Sequence, residues 1–65
     1  MNIEKLIMKK IAIILNSKES LEEKKWQLIK LVYITLPYST EKEYPLAITI
    51  AKKWIKALSL YIAIQ

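Results

Sequence analysis

Glycine is missing from all 65 residues, and that absence removes most ways of building a small β protein. Tight two-residue hairpins need positive φ at their central positions, which glycine supplies without steric cost. The chain is well supplied with Ile, Val, Thr and Tyr, residues that suit strands, yet no stretch alternates strictly between apolar and polar. Apolar residues recur instead three and four apart, the period of a helix. The expected fold is all-α.

Three periodic segments stand between two polar breaks, so the expectation is a compact three-helix bundle in one domain, with helices over about 3–15, 20–36 and 45–64. In the first segment Ile3, Leu6, Ile7, Ile11, Ile14 and Leu15 recur at helical spacing, and Met8 and Ile13 widen the apolar side past half the circumference. Such a helix is either central or membrane-facing. Ser20 followed by Glu23 is a capping box that starts helix two. That helix carries Leu21, Leu28, Ile29, Leu31, Val32 and Leu36, flanked by Trp26 and Tyr33, and should end before Pro37. Thr40 and Glu43 form a second capping box. Pro45 lacks an amide and is comfortable only at a first helical position, which predicts a loose turn followed by regular helix from Pro45. The centres of the three stripes predict a core of Ile11, Ile14, Leu28, Val32, Ile50, Trp54 and Leu58.

A chain this short has little core to spare, and without cysteine it has no disulfide to compensate. With 54% hydrophobic residues, it is expected to complete its burial by tight packing, by oligomerisation or against lipid. The missing residue types also limit chemistry. Without His, Cys or Asp, the Ser-His-Asp and Cys-His nucleophilic sites and the usual zinc sites cannot be assembled. The absence of glycine likewise removes phosphate-cradling loops. No enzyme activity, cofactor, metal or small-molecule substrate is therefore expected. Ser39 and Lys42 have the serine-to-lysine spacing of a penicillin-binding nucleophile, but the companion motifs are absent, so the spacing reads as chance. The carboxylates Glu22, Glu23, Glu41 and Glu43 lie at helix starts, where they stabilise caps and dipoles.

The formal charge is +5, from 11 lysines and 6 glutamates with no arginine. Arginine is the usual bidentate reader of guanine and phosphate, so sequence-specific DNA recognition is disfavoured. Nonspecific nucleic-acid binding through lysine–phosphate contacts stands as a third-ranked reading. Lys9 and Lys10 interrupt the apolar stretch 3–15, which argues against a secretory signal and for Met1 as a native start. Both secretion without a leader and a cytoplasmic location fit these features.

The last segment carries the main functional clue. Between Pro45 and Gln65 the only charges are Lys52, Lys53 and Lys56, which share one arc with Thr49 and Ser59. Leu46, Ile50, Trp54, Ala57, Leu58, Tyr61 and Ile64 fill the other side. As a helix the segment would be about 30 Å long, enough to match a bilayer. Three lysines at roughly 2.5 to 3.5 kcal/mol each oppose a stable span, so such a helix lies on a membrane rather than crossing one. With Lys5, Lys9 and Lys10 from helix one, and with Trp54 and Tyr61 as interfacial aromatics, the lysines are expected to form a face attracted to anionic lipid.

A start at Met1, no cysteine, two tryptophans and lysine-studded apolar helices make the chain similar in kind to leaderless cationic bacteriocins, without a shared motif. Known members contain glycine and are poorer in acids, whereas this chain has no glycine and six glutamates. The resemblance implies a secreted antimicrobial acting at anionic membrane surfaces. The alternative expectation is a soluble interaction module, such as a phage or plasmid regulator or an immunity protein. In that case the surplus apolar surface is buried in a homo-oligomer or against a protein partner.

Overall fold

Asn2 opens the first helix: its side-chain oxygen accepts the Lys5 backbone N–H at 3.3 Å, satisfying one of the donors that a helix start leaves over. In the computed structural model, which describes residues 2–35 and 40–64, α1 spans Ile3–Leu15. Ser17 closes it by donating to the Ile14 carbonyl from both its backbone N–H, at 3.2 Å, and its hydroxyl, at 2.8 Å.

Helix α2 spans Leu21–Ile29, and Ser20 caps it by accepting the Glu23 N–H at 3.2 Å. That is one half of the expected capping box. The Glu23 carboxylate turns the other way and accepts from Gln27 Nε2 at 3.3 Å. From Lys30 to Thr35 the helix continues as a π-helix. This stretch contains three β-branched residues, Val32, Ile34 and Thr35, which crowd the preceding turn of a tight α-helix. The expected end at Leu36 and the Pro37 break lie outside the described residues.

One turn, α3 (Thr40–Glu43), precedes Tyr44, and α4 runs over Pro45–Ile64. The expected cap at Thr40 involves a side chain outside those described. Regular helix from Pro45 agrees with the sequence reading. Tyr44 is the cap residue of α4, since its carbonyl accepts the Ile48 N–H at 3.1 Å. Tyrosine has no short side-chain oxygen with which to cap the amides that follow. Glu4 on α1 supplies one from 43 residues away, its Oε1 accepting the Ala47 N–H at 3.0 Å. A carboxylate also suits the positive end of the helix dipole.

This bond fixes the start of α1 beside the start of α4. At the other end Ser20, Glu22 and Trp26 share a depression with Ile62, so α2 begins where α4 finishes. Helices α1 and α4 are therefore parallel, and α2 with its π segment runs antiparallel between them. Each of the three packs on the other two, over extents of 38 × 20 × 17 Å.

The core is a single cluster: Ile7, Ile11 and Ile14 of α1, Leu28 of α2, Leu31 and Val32 of the π segment, and Ala47, Ile48, Ala51 and Leu58 of α4. Five of the seven expected core residues belong to it. Ile50 is only half-buried and Trp54 is 40% exposed, so both expectations are corrected. Ala47 and Ala51, at 0% and 1% exposure, occupy the line where α4 meets its neighbours. Their short side chains admit close helix approach, whereas an indole there would hold the helices apart and would need a partner for its N–H. Among the described residues, no buried side-chain nitrogen or oxygen lacks a hydrogen-bond partner.

Leu28 is wholly buried, so Leu28→Ala should cost ~2 to 5 kcal/mol in urea unfolding. Glu4→Ala should cost about 1 kcal/mol, the usual loss for a helix cap, and should speed hydrogen exchange at Ala47. Glu4→Gln keeps an acceptor and should lose less. Unchanged exchange at Ala47 in Glu4→Ala would show that the cap does not hold α4.

Candidate functional site

Helix α4 carries two apolar seams, each at the three-four spacing of a packing helix. The first, Ile48, Ala51, Ile55, Leu58 and Ile62, is buried or half-buried against α1 and α2. The second, Ile50, Trp54, Ala57, Tyr61 and Ile64, lies about 120° round the helix at about 100° per residue. Much of it is open: Trp54 is 40%, Tyr61 56% and Ile64 81% exposed. Leu46 extends this strip towards the start of the helix and is exposed as well.

Lys52 tells which neighbour each flank of α4 faces. Its Nζ lies 6.0 Å from the centre of the Tyr33 ring, so that flank borders the π segment. The second seam, on the opposite flank, therefore borders α1. Because α1 is parallel to α4, the flank of α1 that adjoins this seam is the one carrying Lys5, Lys9 and Ala12. The resulting surface has an apolar strip along α4, Lys5 and Lys9 along one edge, and Lys53 along the other. All three lysines are exposed.

The six lysines named from the sequence thus do not share one face. Lys10 is exposed on the flank of α1 that borders α2, in the company of Ile3, Leu6 and Ile13. Lys52 and Lys56 are on the π-segment side of α4, Lys56 exposed and Lys52 half-buried. Trp54 and Tyr61 share the open seam of α4, with Lys53 on its edge; in the register that Glu4 and Ala47 set, Lys5 and Lys9 flank only its first half, and Tyr61 lies beyond the end of α1. The sequence reading paired the lysines with the apolar side of an isolated helix and so missed that half of this side is spent on the core.

Charge is divided by helix in a way that periodicity does not reveal. Helices α1 and α4 hold six lysines and one glutamate, Glu4, whose carboxylate is engaged on α4. The rest of the chain holds five lysines and five glutamates. The whole net charge of +5 therefore belongs to the two helices that frame the open seam. Total accessible surface is 5002 Å², about 15% more than the roughly 4,300 Å² expected for a folded monomer of this mass.

Two features escaped the sequence reading. Ala47 and Ala51, four apart, were the available sign of the close-packed seam, but large residues outweighed alanine. The second is on α2, where Lys30 Nζ stands 5.8 Å from the centre of the Trp26 ring. Among the described residues no helix is long and apolar enough to cross a membrane, and no three potential metal-ligating side chains come together. Ser39 of the serine–lysine spacing lies outside the described residues. Comparison with protein-family models, with curated proteins and with solved structures finds no match to this chain.

Proposed function

We propose that this protein binds anionic membrane surfaces in its folded form, through the face shared by α1 and α4. The observation that carries this reading is the placement of the entire net charge on the two helices that frame an open strip of Trp54, Tyr61 and aliphatic residues. Lysines at the edges draw the face to anionic headgroups, and each contributes about 1 kcal/mol near such a surface. The strip then enters the boundary between headgroups and acyl chains, where Trp and Tyr are favoured. The core needs no rearrangement, because it uses the other seam of α4. Should bound protein also open the bilayer, the outcome is antimicrobial, as in the leaderless bacteriocins it resembles in kind, and dye release from vesicles reads that step separately.

The three-four spacing of the open seam favours a second reading, in which the same strip receives an amphipathic helix from a protein partner. Positive edges on both sides call for acidic flanks on that helix.

Replacing Lys5, Lys9 and Lys53 together by Gln should weaken binding to anionic vesicles by roughly 3 kcal/mol, about a hundredfold, with helix content unchanged. The same replacement of Lys10, Lys52 and Lys56 removes equal charge from other faces and should weaken binding less. In a Trp26→Phe background, Trp54 emission should shift to the blue with anionic vesicles and stay constant with neutral ones. Absence of binding by the unaltered protein to anionic vesicles at low salt removes the membrane reading and leaves the interaction module.

A further inference from the structure

The outer side of α2 is a second exposed surface among the described residues, and its charges are arranged to match themselves. Glu22, Trp26 and Lys30 are spaced four apart, so they form one stripe along the helix, and all three are exposed. Tyr33 and Ile34 continue the apolar part, at 61% and 69% exposure. Lys30 is held over the Trp26 ring, with Nζ 5.8 Å from its centre. The stripe therefore begins acidic, has an indole at its middle and ends basic.

We propose that two copies of this chain pair antiparallel through α2, with the two-fold axis at Trp26. Antiparallel pairing about residue 26 brings residue 22 of one copy opposite residue 30 of the other. Glu22 then faces the partner's Lys30 on both sides of the axis, as an isologous interface requires. The two Trp26 rings meet at the centre, where aromatic anchors contribute most. A parallel pairing would set Glu22 against Glu22 and Lys30 against Lys30, so charge selects the antiparallel one.

The open seam of α4 makes a poorer self-contact. Its edges are all lysine, and α4 contains no acid to answer them in a second copy. The α2 surface faces away from the proposed lipid-binding face, and this inference holds or fails without it. One helix per partner is less than the ~800 Å² each side gives to a standard interface, which points to association in the micromolar range.

Sedimentation of the lipid-free full chain across micromolar concentrations tests the pairing. The unaltered protein should pass from monomer to dimer, whereas E22K and K30E should each remain monomeric because each sets like charges opposite one another. The double variant E22K/K30E exchanges the charges and should dimerise again. Trp26→Glu, which sets two carboxylates at the axis, should be monomeric with normal helix content by circular dichroism. A monomeric unaltered protein overturns the proposal. So does a dimer that survives both single charge reversals, or a double variant that stays monomeric while folded.

Discussion

The hydrogen bond from the Ala47 amide to the Glu4 carboxylate sets the register of the bundle. Pro45 begins α4 without an N–H and Tyr44 has no side chain able to cap it, so the start of the longest helix depends on a group from elsewhere. Because that group sits in the first turn of α1, the two helices start together and run parallel. Parallel alignment then decides which flank of α1 lies beside the open seam of α4, and so places Lys5 and Lys9 there. The same carboxylate keeps its charge and sets it at the positive end of the α4 dipole.

Helix α4 has more apolar surface than three helices can cover. Seams at two angles compete for the interior, and the one without ring side chains, flanked by the buried Ala47, wins. Close approach of the helix backbones brings many atoms into contact at once, and dispersion rewards that more than one large ring set between separated helices. The larger residues are left outside as a consequence. The exposed Trp54 and Tyr61 thus follow from how the core packs, and any role they have at a surface uses what the packing rejects.

The fold was legible because helical period, the Ser20 cap, Pro45 and the lack of glycine all pointed the same way. Leu28, Ile11 and Leu58 lay near the middle of their stripes under any rotation and were found buried. Trp54 was misplaced because period alone gives the width of an apolar arc but not which part of a wide arc is turned inward. That choice belongs to the partners, here to what fits against Ile48 and Ala51. The Glu4 cap joins residues 43 apart in sequence, and no local pattern announces such a bond. The candidate site was legible in its residue types and was partly misgrouped, since lysines spread round two helices become neighbours or strangers according to how those helices align.

Concentrating the net charge on two of three helices gives the molecule a direction as well as a charge. A body with +5 spread evenly would meet an anionic surface in any orientation and would then have to reorient. Here the centre of positive charge is displaced towards α1 and α4, so the field of an anionic surface exerts a torque as well as a pull. Within about one Debye length, roughly 8 Å at physiological salt, that torque turns the lysine-edged strip to the front before contact. The arrangement thus acts on the rate of productive encounter, and added salt slows arrival by blunting the alignment together with the attraction.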